Sequence, residues 1–534
     1  MNNQTKISNI TNQIWAMANE LRGNMDASEY KNYILGFIFY RYLSEHQEAY
    51  LIDNHIIEPQ VGQSVNEAYA EAVAADGLED YLQDIAHTLG YAIAPQHTWQ
   101  SLMERIEENQ IVPSDYQAIF DSFNKNSEIN PEAAKDFRGI FNDLNLGDSR
   151  LGHSTNERTR ALNKVVKLVD EVQYKDDNGR DILGEIYEEL IGKFAANAGK
   201  KGGEFYTPHA VSQILARIVT QQTPSENTFS VYDPTCGSGS LLLTVGNALP
   251  NGKQDGVIKY YGQELSTTTY NLARMNLMMH GVSFQNMTLS NADTLESDWP
   301  DGLVDGIDKP RSFDAVVANP PYSANWDNDD RKLKDPRFAE YGKLAPKSKA
   351  DFAFILHSLY HLNSTGTMAI VLPHGVLFRG AAEGHIRKIL IEKNYLHAVI
   401  GLPANLFFGT SIPTCILVLK KDRTSKDILF IDASAHFDKG KNQNHLSEAH
   451  INAIMEAYAK RQDIEKFAHL ASAEEIQAND YNLNIPRYVD TFEEEEEINL
   501  DEVLKQIAAD KAEIAELEAE INAELKILGV GIGL

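Results

Sequence analysis

The chain has 534 residues, 43 % hydrophobic and 23 % charged, a globular balance too long for one ordinary core and suited to two or three domains. Its 48 lysines and arginines against 77 aspartates and glutamates give a net charge of −29, which excludes a broad basic face gripping a phosphate backbone. Two distant cysteines, Cys236 and Cys415, exclude a disulfide framework or a multi-cysteine zinc site and suit a reducing compartment.

The N-terminus is polar and has no signal-like apolar core. The most apolar stretch, 33–43, is interrupted by Arg41 and is too short to span a bilayer, so the expectation is a soluble, cytoplasmic protein without membrane contact. Residues 8 to about 170 read as helical. Ile14, Met17, Ala18 and Leu21 follow a three-four spacing, and Asp26 with Glu29 resembles a capping box before a second helix carrying Ile34, Leu35, Ile38, Tyr42 and Leu43. Further helical patterns run through 69–89, 99–111 and 161–172. Such a module either binds a partner or duplex, or simply completes the fold.

Residues 182–190 form another helical pattern, broken by the glycine-rich basic turn 199–203. Glu204-Phe205-Tyr206-Thr207-Pro208 follows, then a helix over 209–219; an aromatic pair and a proline at a helix start make a plausible clamp for a small ligand. From Phe229 the periodicity changes. Strand-like runs occur at 229–233, 257–262, 287–289, 313–318, 368–372, 398–402, 416–419 and 428–431, with helical stretches such as 267–279, 351–362 and 380–393 between them. This alternation predicts an α/β fold with a mainly parallel sheet covered on both faces, and the close spacing of the last runs predicts an antiparallel hairpin at one edge. After Asp432 the chain turns polar and helical, passes the acidic linker-like run 493–497, and ends in a helix with Leu500, Ile507, Ile514, Ile521 and Leu528 at sevenfold spacing. Val503 and Leu517 lie on the neighbouring row, which Asp510 and Glu524 interrupt; so narrow a stripe suits docking on another helix or packing on its own domain.

Four stretches carry chemistry. Asp233-Pro234-Thr235-Cys236-Gly237-Ser238-Gly239-Ser240 sits where the first strand turns into its helix, and its glycines let the backbone pass close to a ligand. The third glycine of the dinucleotide fingerprint is missing, and the Asp233 carboxylate repels a pyrophosphate but attracts an ammonium group, which argues against a nicotinamide cofactor. Glu264 closes the next strand, where an acid accepts ribose hydroxyls, and Asp293 closes the third, where it could accept from an adenine amino group. Asn319-Pro320-Pro321-Tyr322 ends the fourth. Two prolines stiffen that turn and remove two donors, so the Asn319 side-chain oxygen and the Pro320 carbonyl are acceptors suited to an exocyclic amine, with Tyr322 as a stacking face. Such acceptors serve adenine N6 and cytosine N4 equally well. No metal site is expected.

Phe205-Tyr206-Thr207-Pro208, then Asp233 with Gly237 and Gly239, then Asn319-Pro320-Pro321-Tyr322 resembles an amino-group DNA methyltransferase of the adenine-N6 branch called gamma. The helical N-terminal part, residues 202–208 and the late Asn484-Ile485-Pro486-Arg487-Tyr488 are similar to the modification subunit of type I restriction–modification systems, over nearly the whole chain. The resemblance implies a helical N-terminal domain (1–170), a Rossmann-like methyltransferase domain with a mainly parallel seven-stranded sheet (171–480), and a C-terminal segment with a partner-docking helix (481–534). It implies methyl transfer from S-adenosyl-L-methionine to a flipped adenine in double-stranded DNA, with Asn319, Pro320, Pro321 and Tyr322 at the reacting base. The implied cofactor site draws on Glu204, Phe205, Tyr206, Thr207 and Pro208, on Asp233, Thr235, Gly237, Ser238, Gly239 and Ser240, and on Glu264, Asp293 and Asn319. Implied partners are a specificity subunit, clasped by two modification subunits, and a restriction subunit. The alternatives are a self-contained amino-methyltransferase and, against the intact tetrapeptide, a non-catalytic assembly subunit. Residues 323–350, rich in Lys and Arg and without periodicity, are expected to order over flipped DNA or to form an idle surface loop.

Overall fold

A computed structural model describes residues 3–21, 27–175, 182–197, 206–221, 228–252, 254, 256–296, 301–304, 307–441, 443–491 and 500–529. Two compact units emerge, residues 1–489 and 490–534. No described helix is long and apolar enough to cross a membrane.

The first unit opens with helices α1 (Asn3–Leu21), α2 (Ala27–Asp53), α3 (Val65–Asp76), α4 (Leu78–Leu89), α5 (Trp99–Glu107), α6 (Pro113–Ser127) and α7 (Thr155–Asp170). Of the capping pair read at residues 26 and 29, the first lies outside the described residues. The expected helix over 69–89 is two helices parted at Gly77, the first opened by a capping box in which Ser64 and Glu67 exchange bonds. Helix α6 lies inside the stretch read as helical but between the patterns named there; Pro113 at its first turn and Asp115 accepting the Val112 N–H are its start signals. Aromatic rings of α2 and α6 interlock in the core, with Tyr40 edge-on to Phe120 at 5.5 Å.

After α8 (Leu183–Asn197) and α9 (His209–Val219) comes the sheet. Its strands are β1 (Phe229–Asp233), β2 (Ile258–Glu264), β3 (Met287–Asn291), β4 (Phe313–Ala318), β5 (Leu362–Pro373), β6 (Leu396–Gly401), β7 (Thr414–Lys420), β8 (Ile428–Asp432) and β9 (Ala468–Ala471). The spatial order is β9-β8-β6-β7-β5-β4-β1-β2-β3. The eight runs read from the sequence fall on β1 to β8, and with β9 the sheet has nine strands rather than the seven that the resemblance implied. The antiparallel pairing is not confined to a hairpin at the edge: β7 runs antiparallel between β5 and β6 in the interior, while the edge pair is β8 with β9, separated by helix Glu448–Lys460. Strand β1 pairs in parallel with both β2 and β4, so the strand order reverses beside it, the crevice where open α/β sheets hold ligands.

Central strands are buried on both faces, which explains their unbroken Val/Ala/Ile runs. The one carboxylate in β4, Asp314, is satisfied there: its Oδ2 accepts from the Ser230 backbone N–H at 2.9 Å and from the Ser230 hydroxyl at 2.8 Å.

Helix α10 (Ser240–Ala248) follows β1, and α11 (Thr267–Met279) follows β2 and seats the N-terminal helices. Arg274, 2 % exposed, donates Nη1 to the carbonyls of Lys135 (3.2 Å), Asp136 (3.0 Å) and Arg138 (3.1 Å). Asp143 accepts from the Thr268 hydroxyl and the Asn271 amide, both at 2.7 Å, and the Tyr42 hydroxyl donates to the Met278 carbonyl at 2.9 Å.

In the second unit, Leu500–Ile527 is one continuous helix. Four members of the sevenfold row fall on it, Leu500, Ile507, Ile514 and Ile521, between 45 % and 70 % exposed, and Leu528 lies one residue past its end.

Candidate functional site

Three acids and an asparagine come to the carboxyl ends of adjacent strands: Asp233 closes β1, Glu264 closes β2, Asp293 lies two residues past β3 and Asn319 directly follows β4. A small cavity of about 10 Å3 opens at this end, lined among others by Tyr206, Thr207, Asp233, Gly237 and Asn319. Thr235, Ser238 and Ser240 line it too, with Cys236 and Leu241, which the sequence reading did not single out. A larger cavity, about 390 Å3, lies at the opposite end of the strands beside Gly252, Ile258 and Ser283. Since ligands of such sheets bind outside the carboxyl ends, the small cleft is the candidate.

The glycine turn is shaped by backbone demands. Gly237 has φ of 55° and Gly239 φ of 75°, and a Cβ on Gly239 would stand 2.4 Å from Leu277 Cδ1. Gly239 therefore lets α10 start against α11 rather than lining the cleft. Ser238 and Ser240 share a hydroxyl contact of 3.0 Å, and the Asn276 amide donates to the Ser238 carbonyl at 2.9 Å.

Asp233 is 1 % exposed, and both of its described hydrogen bonds fall on Oδ1, from the Thr235 backbone N–H at 2.9 Å and the Thr235 hydroxyl at 3.5 Å. Burial pushes its carboxyl up to about 7, opposed by the Thr235 N–H and reinforced by the nearby Glu264 charge. Glu264 Oε2 accepts from the Gly237 N–H at 3.1 Å and Oε1 from the Ser266 N–H at 2.8 Å; burial raises this carboxyl as well, against those bonds. Two desolvated carboxylates beside one turn make the cleft a site for positive charge. Asp293 stands apart from the lining: its Oδ1 accepts from the Leu295 N–H at 2.9 Å, and the adjacent Thr294 hydroxyl ties the loop to the Pro234 carbonyl at 2.5 Å.

Asn319 bridges the two halves of the site. Its Nδ2 donates to the Thr207 hydroxyl at 3.1 Å, and its Oδ1 accepts from the Tyr322 hydroxyl at 2.8 Å. Burial, with the nearby Asp351 charge, holds the Tyr322 phenol well above its ordinary range, so it remains a donor. Burial likewise keeps the Cys236 and Cys415 thiols protonated, which removes both as nucleophiles. Pro208 precedes α9, as the sequence suggested, while Glu204 and Phe205 lie outside the described residues. Pro320 and Pro321 carry the chain from β4 to Tyr322.

Several residues were not legible in the sequence. Phe407, on the loop between β6 and β7, meets the Tyr322 ring edge-on at 5.9 Å, and Phe408 meets Tyr206 at 6.0 Å. Asp351 accepts from the Ser323 N–H at 2.8 Å and from Arg379 at 2.6 Å, and Arg379 also binds Glu383, so the corner after Tyr322 is pinned by an ion-pair network. Residues 323–350 are packed rather than loose. Trp326, Phe338 and Tyr341 are buried, two single 3-10 turns occur at Asp330–Lys334 and Ala339–Tyr341, and Arg337 is bidentate to Asp335.

Comparison with known proteins agrees with this arrangement. The N-6 DNA methylase family profile matches residues 178–497, and that of the HsdM N-terminal domain matches residues 10–169. The chain is 37 % identical over 530 residues to the type I restriction enzyme MpnII methylase subunit of Mycoplasma pneumoniae, covering 97 % of this chain and 95 % of that one. It is 28 % identical to the MjaIX methylase subunit of Methanocaldococcus jannaschii, over 96 % of this chain and 90 % of the other. The crystal structure of a type I restriction–modification methyltransferase subunit from Streptococcus thermophilus superimposes with a TM-score of 0.82 at 46 % identity, over 91 % of this chain and all of that one. The chain belongs to the N-6 DNA methylase family, among the methylase subunits of type I restriction–modification systems.

Proposed function

We propose that the cleft transfers a methyl group from S-adenosyl-L-methionine to N6 of an adenine flipped out of duplex DNA. The observation that carries this reading is the Asn319 bridge: the amide lines the same cleft as Asp233 and Gly237 while touching Thr207 on one side and Tyr322 on the other. The donor set fits the cofactor's chemistry. Asp233, buried with its described bonds on one oxygen, suits an ammonium group; Glu264 suits ribose hydroxyls; and raised carboxyls signal a pocket that favours cations. In this reading Tyr206, Thr207 and Pro208 flank the cofactor, as Glu204 and Phe205 would, and Thr235, Ser238, Ser240 and Asp293 complete its pocket. When bound, the cofactor supplies an already activated methyl on sulfur.

The chain's own residues then do three things. Asn319 Oδ1 and the Pro320 carbonyl accept the two amino hydrogens of the base, and they hold the nitrogen more strongly as it becomes positive. Pro321 keeps those acceptors rigid. Tyr322 stacks on the extruded ring, with Phe407 closing the side of the slot.

We further assign sequence recognition to a separate specificity subunit, with two copies of this chain around it and a restriction subunit able to join. The exposed apolar row of Leu500–Ile527 is the docking helix. The parts in this scheme are the helical 1–170, the catalytic 171–480 and the docking 481–534. The test is radiolabelled methyl transfer to duplex DNA, with and without the specificity subunit, followed by nucleoside analysis. N6-methyladenine is expected. Asn319→Ala should abolish it while calorimetry shows cofactor binding intact; lost cofactor affinity, or label on cytosine, would overturn the assignment.

A further inference from the structure

The segment after the tetrapeptide carries seven basic side chains, and the fold treats them in two ways. Of the four in 331–337, three are neutralised locally, Arg331 by Asp329, Lys332 by Glu296 and Arg337 by Asp335, while Lys334 has no ion pair within 4 Å among the described residues. The return limb, 342–350, is different. It bears Lys343, Lys347 and Lys349 with no carboxylate among its nine residues, and none of the three has an ion pair within 4 Å among the described residues. The neighbouring Glu340 is engaged by Lys393 at 2.7 Å, and Asp351, which ends the limb, is engaged by Arg379 at 2.6 Å. The three lysines fall within seven residues, in a chain whose net charge is −29.

The limb is also held in place. Its backbone runs back beside residues 324–328: the Ala350 N–H donates to the Ala324 carbonyl at 3.0 Å, and the Trp326 N–H donates to the Lys347 carbonyl at 2.9 Å. The Trp326 indole donates to the Pro346 carbonyl at 3.0 Å, and the Asn328 amide to that of Ala345 at 3.2 Å. Residues 324–328 begin two positions after Tyr322, and Asp351 holds Ser323. The lysines are thus fixed to the same rigid corner as the tetrapeptide, with Lys343 and Lys347 exposed and Lys349 half-buried.

We propose that Lys343, Lys347 and Lys349 form a phosphate-contacting edge that grips the DNA strand flanking the target adenine. The inference rests on the DNA-methylating reading above and deepens it. The limb supplies the local cationic grip that the overall acidity denies the rest of the surface, and positions the strand without reading its sequence.

The test compares the wild-type chain with the triple variant Lys343→Gln, Lys347→Gln and Lys349→Gln, each full-length with the specificity subunit present. Binding of a labelled duplex is followed across a salt series by anisotropy, alongside kcat/KM for DNA and the Kd for S-adenosyl-L-methionine. Each lost phosphate contact removes about 0.9 from the slope of log K against log salt, so the triple variant should lose about 2.7. Its cofactor Kd should not move. A control variant, Lys439→Gln with Lys460→Gln and Lys466→Gln, carries the same charge change elsewhere and should keep the wild-type slope. An unchanged slope in the triple variant, or an equal loss in the control, overturns the proposal. Failure of the wild-type protein to methylate DNA at all would instead sink the functional reading beneath it.

Discussion

Thr207→Val isolates the contact on which the proposed chemistry depends. Valine keeps the volume of threonine and removes only the hydroxyl that accepts from Asn319 Nδ2 at 3.1 Å. A buried donor left without its partner costs about 1–3 kcal/mol; Asn319 is half-buried, so some water reaches it, and the lower part of that range, about 1–2 kcal/mol, applies. If the bond aims the amide at the reacting amine, the loss falls on the transition state and slows transfer by about 5- to 30-fold. Single-turnover transfer of labelled methyl to duplex DNA measures this, with calorimetric titration of the cofactor run on the same protein. Thr207→Ser should restore the rate to within about twofold of wild type. A valine variant as fast as wild type, or a loss confined to cofactor affinity, would refute the reasoning.

Asp233 gives a pH signature. Its carboxyl is pushed up to about 7 by burial, so it is largely protonated below that value and ionised above it; affinity for an ammonium-bearing cofactor should rise between pH 6 and about 7.5 and flatten in Asp233→Asn, as calorimetry at several pH values would show. Gly239→Ala places a methyl 2.4 Å from Leu277 Cδ1 at a φ of 75°, and should cost about 1–3 kcal/mol, read as a lowered Tm; an unchanged Tm would mean that the turn is not packed as described. Deleting residues 500–534 should leave cofactor binding intact and abolish co-purification with a specificity subunit, whereas normal assembly would remove the docking role given to that helix.

Much of the sheet was legible because parallel strands buried on both faces must be apolar and short: β1 and β4 fall on the residues read from the sequence, as do α9 and α11. Strand β9, Ala-His-Leu-Ala, was not, since it is an edge strand of four residues without a β-branched side chain and pairs with a strand across an intervening helix. The position of β7 was missed for another reason. Spacing shows that neighbouring runs pair, but not that the second inserts between its partner and β5. At the site, the acids and glycines were readable because each sits where a strand ends. Phe407, Phe408 and the Asp351–Arg379–Glu383 network were not, because their roles arise from contacts across the fold and carry no local pattern.

The buried Arg274 has a consequence for how this protein can be rearranged. Among the described residues its guanidinium donates to three carbonyls of residues 135–138 and to the Asn271 side-chain oxygen, with the Asp136 and Asp143 charges nearby. Replacing residues 135–143 by a segment that does not match would take those partners from Arg274, Thr268 and Asn271 at once, leaving buried polar groups unpaired on the helix that follows β2. Recombination between relatives should therefore succeed only when the segment 135–143 and the helix Thr267–Met279 descend from the same parent, making the two an inherited pair rather than exchangeable modules.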